Sequence, residues 1–498
     1  MGFEHTRRGF LKTTLGAYAS AAVFDAVAAR DAMAQTSDVT ALSLIDASEL
    51  LRARKVSPVD LTTATLARID RLNPMLNAFI TVMREQALAD ARTAEGELAA
   101  GRRRGPLHGI PIALKDLFDT AGVKTTAASA LFADRVPAQD AEVVRRLKQA
   151  GAIIVGKLNM HEFAYGDTSA VSHFGPVRNP WDRQRISGGS SGGSGAAVAA
   201  RLCFGALGSD TGGSIRQPSA FCGIAGLKPT YGLVSTTGVI PLSWSLDHIG
   251  PMCRTVADCA VLLQAIAGYD ASDTNSIDAP VPDYAAAAVQ RVAALRVGVP
   301  RALFYDSLHP DIQGAVDVAL RAIRGLTASM RDVTLPPYET LPVVGAEAYA
   351  FHRPYVTTTP DRYQPATRQR IEGGARVSAS AYIEGKRELD RLRRAVGAVF
   401  ANVDVLVTPT TPILPQTVED AVNSPTVPPP GGVAPSLRNT QPFDIFGLPT
   451  MSVPCGVSEA GLPIGLQITG PRLGEARVLA LARAFEQASG WNRRAPQI

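Results

Sequence analysis

Along this chain, stretches whose apolar residues recur with helical spacing alternate with short, continuous apolar runs. Residues 42–101 show the helical spacing. One helix is predicted to begin after Ser57, with Pro58 in its first turn and Asp60 as a capping acid, and to end at residues 73–74, an Asn-Pro pair. The first part of the chain is therefore expected to be helical.

The short apolar runs predict buried strands. A predicted helix over 140–150 precedes the first of them, and the strands are expected at 153–155, 295–299, 403–407 and 450–453. Interspersed helices and buried strands predict an α/β fold in which helices cover a sheet. Residues 409–435 are rich in Pro, Thr and Gly, which predicts a long surface loop.

Composition and charge exclude several classes of protein. The chain has 498 residues, of which 46% are hydrophobic and 19% charged, so it is neither disordered nor a coiled coil. Its formal charge of +5 is small for this size and includes no long basic run, so no nucleic-acid partner is expected. The mature chain has no apolar run long enough to span a membrane. Five scattered cysteines indicate neither a disulfide framework nor a metal site.

Residues 1–34 are predicted to be a twin-arginine signal peptide. Arg7 and Arg8 stand before a weak apolar stretch, and a small-x-small cleavage site ends at Ala34. Cleavage after Ala34 would send residues 35–498 to the periplasm, where free cysteines are compatible with export of a folded chain. The alternative is a basic amphipathic helix that belongs to the fold. No firm domain boundary is visible within residues 35–498.

Three segments carry candidate chemistry: residues 109–116, 187–198 and 208–218. In the first, Lys115 closes an apolar, strand-like run, where partial desolvation lowers the pKa of a lysine and allows it to accept a proton. The other two are Gly-rich but match neither the Walker nor the dinucleotide-binding pattern. Consecutive glycines also let backbone N–H groups crowd around a developing oxyanion.

The Gly-rich segments offer two candidate serine nucleophiles, Ser190 and Ser214. The letters around Ser190 match a Gly-x-Ser-x-Gly elbow, but a loop precedes it where the elbow needs a strand. A Ser-x-x-Lys pair is absent from the chain. A histidine base stays open as an alternative to Lys115; the histidines near enough in sequence are His108, His161, His173 and His248.

Taken together, the three segments resemble the amidase signature family. The matching strings are Pro-Ile-Ala-Leu-Lys-Asp at 111–116, Gly-Gly-Ser-Ser-Gly-Gly-Ser-Gly at 188–195 and Asp-Thr-Gly-Gly-Ser-Ile-Arg at 210–216. The resemblance is strongest over 105–255 and continues more loosely to the C-terminus. It implies an α/β fold whose mixed central sheet is covered by helices on both faces, with residues 35–498 as one amidase catalytic domain.

The resemblance also assigns roles to individual residues and implies no cofactor and no metal ion. Lys115 is the expected base, Ser190 a bridging serine after a cis peptide bond, and Ser214 the nucleophile. The expected oxyanion hole consists of Thr211, Gly212, Gly213 and Ser214, and the residues expected to hold this arrangement are Ser191, Asp210 and Arg216.

Within this family, the sequence favours a stand-alone periplasmic amidase that hydrolyses a small or aryl amide. One alternative is a carbamate or ester hydrolase with the same triad. Another is the A-type subunit of a tRNA-dependent amidotransferase, which releases ammonia from glutamine and needs partner subunits. A binding subunit that retains the amidase scaffold is a third.

Two features argue against the amidotransferase alternative. The first is the export signal. The second is residues 435–440, which lack the acid that such subunits use for the amino group of glutamine; Asp444 is the nearest carboxylate. A small-molecule amide is the expected substrate, and a homodimer is compatible with the sequence. Six residues could line an aromatic-accepting pocket or pack in the core: Tyr305, Phe351, His352, Tyr355, Tyr363 and Phe443.

Overall fold

The computed structural model describes residues 38–339, 341–423 and 434–498. The predicted signal peptide at 1–34 lies outside these residues. The helices are α1 (Leu44–Arg52), α2 (Pro58–Leu76), α3 (Arg84–Ala99), α4 (Glu142–Gln149), α5 (Gly192–Ala199), α6 (Arg216–Cys222), α7 (Val256–Ile266), α8 (Tyr284–Ala287), α9 (Pro310–Leu326), α10 (Val343–Val356), α11 (Pro365–Gly374), α12 (Ala379–Ala395), α13 (Val418–Asn423), α14 (Gln441–Ile445) and α15 (Glu475–Ser489). The strands are β1 (Phe79–Val82), β2 (Pro111–Lys115), β3 (Ile153–Leu158), β4 (Gly205–Asp210), β5 (Ala225–Lys228), β6 (His248–Cys253), β7 (Arg296–Pro300), β8 (Ser329–Val333), β9 (Val405–Pro409), β10 (Thr450–Val457) and β11 (Pro463–Thr469).

These strands form one mixed sheet in the order β1-β3-β2-β4-β6-β5-β10-β11-β9-β7-β8. Strand β2 lies between β3 and β4 and is parallel to both. Strand β7 is parallel to its neighbours β8 and β9. In the middle of the sheet, the neighbouring pairs β4–β6, β6–β5, β5–β10, β10–β11 and β11–β9 are antiparallel. The predicted α/β fold with a mixed sheet is confirmed.

Helices cover both faces of the sheet. Successive residues of a strand point to opposite faces, and in β2 the side chains of Ile112 and Leu114 join one core cluster while Ala113 joins another. The first cluster includes residues of α4 and α7, and the second includes residues of α2, α3 and α5. All residues of β2 are buried, as expected for a strand packed on both sides.

The N-terminal helices depart from the sequence prediction at one end. The capping box of Ser57 and Asp60 is present, with Pro58 in the first turn. Helix α2, however, continues through Pro74 to Leu76, because the buried side chain of Leu76 packs the last turn into the core. The short strand β1 then follows, in a region predicted to be only helical.

The segment predicted as a long surface loop contains a short helix and buried residues. Thr410 and Thr411 are buried, and the Thr410 hydroxyl lies 2.9 Å from that of Ser452. Helix α13 begins after Thr417, whose hydroxyl accepts a hydrogen bond from the backbone N–H of Asp420 at 3.0 Å. The sequence prediction missed this cap because the segment is rich in Pro, Thr and Gly. Residues 424–433 lie outside the described part.

The sheet brings the three candidate segments together at one edge. Lys115 is the last residue of β2 and Asp210 the last of β4, and parallel strands end at the same edge of a sheet. Ser190 shortly precedes α5, and Ser214 lies in the turn between β4 and α6. Within the described ranges, no helix is both long and apolar enough to cross a membrane.

Candidate active site

Lys115 lies fully buried at the end of β2 and contacts two hydroxyl groups. Its Nζ donates to Ser190 Oγ at 2.7 Å and to Ser209 Oγ at 2.8 Å. Burial lowers the pKa of Lys115 to about 7, although the nearby negative charges of Asp247 and Asp210 oppose the shift. A substantial fraction of Lys115 is therefore neutral near pH 7 and able to accept a proton.

Ser190 is held in a tightly packed loop. The Gly189–Ser190 peptide bond is cis. The Ser190 carbonyl accepts hydrogen bonds from the His161 backbone N–H and the Ser169 hydroxyl, each at 3.1 Å. The Gly189 N–H donates to Gln217 Oε1 at 2.7 Å. These contacts fix the hydroxyl of Ser190 against Lys115.

Ser214 lies beside this loop, in the turn after β4. The backbone N–H of Ser191 donates to the Ser214 carbonyl at 3.3 Å, which brings the two serine segments together. Ser214 is 5% exposed, whereas Ser190 and Lys115 are fully buried. Of Lys115, Ser190 and Ser214, Ser214 is therefore the residue with access to a substrate.

The turn at 211–214 offers backbone donors for an oxyanion. The structure records no hydrogen bond from the N–H groups of Thr211, Gly212 and Ser214 to another described residue. Gly213 differs from the sequence expectation, because its N–H donates to Asp210 Oδ1 at 2.5 Å. The candidate donors are thus three of the four predicted.

Asp210 and Arg216 support this turn from beneath. Both are fully buried, and Arg216 donates to the two Asp210 oxygens from Nε and Nη2, each at 3.0 Å. Burial alone raises the pKa of Asp210, but the charge and hydrogen bonds of Arg216 outweigh it, so the pKa lies below the ordinary value. Ser191 contributes in a different way, since its hydroxyl donates to the Ser209 carbonyl at 3.1 Å.

Ser209 and Asp247 also contact this centre, and neither was predicted from the sequence. Ser209 stands one residue before the predicted Asp210, at the end of β4, and this position next to a predicted site residue is the signal that could have found it. The Asp247 Oδ1 accepts a hydrogen bond from the Thr211 hydroxyl at 2.6 Å. Nothing local in the sequence indicates this contact between residues 36 positions apart.

The aromatic residues proposed for a pocket pack largely against one another or against the core. The rings of His352 and Phe163 are 4.4 Å apart, and the His352 Nδ1 lies 3.0 Å from the Tyr363 hydroxyl. Phe443 stacks on Phe304. Tyr305 donates to the Val407 carbonyl, and Phe351 and Tyr355 lie in the cluster with His352. Packing against one another and against the core accounts for these residues, except that Tyr355 is 36% exposed.

Asp444 is not available to a substrate. It is fully buried, and Arg216 Nη2 donates to its Oδ2 at 2.5 Å.

A different acidic residue, Asp167, lies beside the Ser190 loop, where its backbone carbonyl accepts a hydrogen bond from Gln217 Nε2 at 2.9 Å. Arg370 is close enough to interact electrostatically with Asp167. Burial lowers the pKa of His161 to about 3, and the charge of Arg370 adds to that shift.

Comparison with known proteins identifies the family and the related folds. The family model "Amidase" matches residues 60–479. The solved structure of 6-aminohexanoate cyclic dimer hydrolase complexed with substrate is similar to this chain with a TM-score of 0.85 at 28% identity, covering 92% of this chain and 99% of its own.

Curated relatives correct the expected activity. The A-type subunit of glutamyl-tRNA(Gln) amidotransferase from Moorella thermoacetica is 41% identical, over 92% of this chain and 98% of its own length. That of Methylococcus capsulatus is 44% identical, over 90% of this chain and 96% of its own. The expectation of a stand-alone amidase for small or aryl amides is therefore wrong, and the amidotransferase alternative is favoured. The chain belongs to the amidase signature family, whose enzymes hydrolyse carbon–nitrogen bonds.

Proposed function

We propose that this chain is the glutamine-hydrolysing, A-type subunit of an amidotransferase and that it acts together with partner subunits. The observation that carries this proposal is the similarity to the A-type subunits of amidotransferases, which extends over nine-tenths of the chain at more than 40% identity. The family match over residues 60–479 includes every candidate catalytic segment.

The site supports the chemistry of this reaction. Neutral Lys115 takes the Ser190 proton as Ser190 takes that of Ser214, and Ser214 Oγ attacks the side-chain amide carbon of glutamine. The N–H groups of Thr211, Gly212 and Ser214 stabilise the oxyanion. When the C–N bond breaks, the relay returns the proton to the leaving nitrogen and ammonia departs. Water then hydrolyses the acyl-enzyme, which releases glutamate.

Asp167, whose backbone lies against Gly189, and Arg370, which interacts electrostatically with Asp167, offer opposite charges for the two ends of a free amino acid. The Arg370 guanidinium, which also donates from Nη1 to the Tyr165 carbonyl at 2.6 Å, would bind the α-carboxylate, and the Asp167 carboxylate would bind the α-ammonium group. Asp167 Oδ2 accepts a hydrogen bond from the Ser436 hydroxyl at 2.5 Å. Residues 435–440 contain no acid, but Ser436 contacts Asp167 from another part of the chain. The composition of 435–440 is therefore no argument against glutamine as the substrate.

The test is the KM for glutamine of two charge variants. We expect Asp167→Asn and Arg370→Gln to raise the KM at least about tenfold with a smaller change in kcat, because each removes a charge from substrate binding. The matched control is Arg362→Gln, which removes an exposed arginine before α11 and should leave the KM within about twofold. If both charge variants bind glutamine as the wild type does, this mode of recognition is wrong.

A further inference from the structure

The segment before β6 reaches the oxyanion turn through one buried carboxylate. Asp247 is 8% exposed, and its Oδ1 accepts from the Thr211 hydroxyl at 2.6 Å. Its Oδ2 accepts from the backbone N–H groups of Leu242 at 2.8 Å and Ser243 at 3.1 Å. We propose that Asp247 is a positioning residue for amide hydrolysis, which fixes the Thr211 end of the oxyanion turn and places a negative charge near Lys115.

The loop that carries Asp247 is itself anchored to the middle part of the chain. Glu347 of α10 is 3% exposed and accepts from the Ser243 hydroxyl at 2.5 Å and from the Ser245 N–H at 3.0 Å. It also accepts from the hydroxyls of Ser245 and Tyr382. Asp247 is therefore held between an anchored loop on one side and the oxyanion turn on the other.

This position matters because Thr211 begins the turn whose N–H groups are the oxyanion donors. Catalysis by such donors depends on their alignment with the developing charge, and a displacement of about 1 Å can cost about a hundredfold in rate. The hydrogen bond to Asp247 is the contact that the structure records for the Thr211 hydroxyl. Loss of this contact would free one end of the turn while leaving Ser214 and Lys115 in place.

The charges of Asp247 and Asp210 both favour the protonated form of Lys115, and the charge of Asp247 has the larger effect. Asp210 is paired with Arg216, whereas no ion pair of Asp247 is recorded in the part of the chain that the structure describes. The groups that interact electrostatically with Lys115 are Asp247, Asp210 and His161, and those that face Asp247 include Glu347, Tyr231 and Lys115 itself.

The protonation of these groups gives the inference a characteristic pH dependence. Burial raises the pKa of Asp247 to about 6, so it is largely ionised where Lys115, with a pKa of about 7, loses its proton. A negative charge nearby favours the protonated lysine. Removal of that charge therefore shifts the proton release of Lys115 to lower pH.

The experiment measures the reactivity of Ser214 without depending on the natural substrate. The inference rests on the nucleophile named under the proposed function but not on glutamine, so the full chain is treated with a fluorophosphonate. A bond forms between Ser214 Oγ and phosphorus, fluoride leaves, and the serine proton passes through Ser190 to Lys115. Intact-mass spectrometry gives the labelling rate between pH 5.5 and 9 for the wild type, Asp247→Asn, Thr211→Val and Asp270→Asn.

The variants separate positioning from a general structural effect. We expect Asp247→Asn to lower the plateau rate at least about tenfold. We also expect the labelling rate to rise at a lower pH than in the wild type. Thr211→Val should lower the plateau and shift the pH of the rise less than Asp247→Asn does, because the carboxylate of Asp247 remains although it loses one hydrogen bond. Asp270→Asn is the matched control: Asp270 also accepts two hydroxyl hydrogen bonds, from Ser235 and Thr237, and the rate should stay within about twofold.

Three results would overturn the inference. A rate and pH profile of Asp247→Asn equal to those of the wild type would show that Asp247 positions nothing. A lower plateau with an unmoved rise would assign it a structural role only. Absence of labelling at Ser214 in the wild type would exclude Ser214 as the nucleophile, and with it the oxyanion turn that Asp247 is proposed to hold. Failure of glutamine hydrolysis alone would leave the inference intact.

Discussion

The Nζ of Lys115 lies 2.7 Å from Ser190 Oγ, at the end of a buried strand, with no carboxylate in ion-pair contact among the described residues. The hydroxyl groups around Lys115 can form hydrogen bonds with the neutral amine as well as with the ammonium ion. This relationship makes Lys115 suited to accept a proton at neutral pH.

The first prediction concerns Ser214. Replacement by Ala removes one hydroxyl from a turn that other contacts hold, so Ser214→Ala should lose glutamine hydrolysis by about 10³-fold or more and keep its melting temperature. Glutamate formation and a thermal melt measure the two properties. Retention of more than a few per cent of the activity would exclude Ser214 as the nucleophile.

A second prediction follows from the low pKa of Lys115. The unfolded chain binds more protons at this lysine than the folded chain between pH 7 and the ordinary lysine pKa of 10.5, so the contribution of Lys115 to stability rises with pH over this window. Lys115→Met lacks this contribution. From pH 7 to pH 9, the free energy of unfolding of the wild type should gain about 2 kcal/mol relative to the variant, as measured by urea denaturation. A constant difference would contradict the low pKa.

The third prediction compares two glycines. Gly213 has a φ of +141°, and a Cβ there would lie 2.1 Å from Thr440 Oγ1. Gly213→Ala should therefore distort the oxyanion turn, lower activity by about 10²-fold or more and destabilise the fold by about 1–3 kcal/mol. Glutamate formation and urea denaturation measure the two effects.

Gly314 is the control for that substitution. It lies within α9 with nothing within 4 Å of an added Cβ, so Gly314→Ala should stabilise the fold by about 0.5–1 kcal/mol and leave activity unchanged. Equal effects of the two substitutions would refute the proposed turn geometry.

A fourth prediction concerns the ion network beneath the turn. Arg216 contacts the buried carboxylates of Asp210 and Asp444, and it also donates to the Thr440 carbonyl at 2.8 Å. Arg216→Met would leave both carboxylates without this partner and should destabilise the fold by about 3–5 kcal/mol. Asp444→Asn keeps the pair of Arg216 with Asp210, so it should cost clearly less. Chemical denaturation of both variants tests this order, and the reverse order would contradict it.

The fifth prediction concerns export, a sequence-based expectation for residues 1–34 that argues against the proposed amidotransferase subunit, so its outcome bears on both. We expect the chain recovered from the periplasm of its host to begin at Gln35, and replacement of Arg7 and Arg8 by Lys to keep it in the cytoplasm. Fractionation with intact-mass analysis decides the question. A full-length chain confined to the cytoplasm would contradict the signal peptide.

Local sequence strings were sufficient to identify Lys115, Ser190 and Ser214 as candidates, because each lies in a segment whose composition is unusual. The strand that ends at Lys115 and the cap of α2 at Ser57 follow from short-range rules and were predicted correctly. These are features in which neighbouring residues decide the outcome.

The partners of those residues depend on tertiary structure and were not predictable. Asp247 meets Thr211, and Arg216 meets Asp444, only because separate segments converge beneath one edge of the sheet. For the same reason, the acid that contacts Ser436 is Asp167, 269 positions away. The absence of an acid from residues 435–440 therefore did not exclude the amidotransferase alternative, because the fold supplies an acid from a distant part of the chain.

The proposed glutamine hydrolysis is tested by measuring glutamate and ammonia formed from glutamine by the tagged chain purified from its host, both as the complex with its bound subunits and as the isolated chain. The complex is predicted to hydrolyse glutamine faster than the isolated chain, and the same complex carrying Ser214→Ala is predicted to be inactive. A folded complex and a folded single chain that both leave glutamine intact would contradict the proposed glutamine hydrolysis.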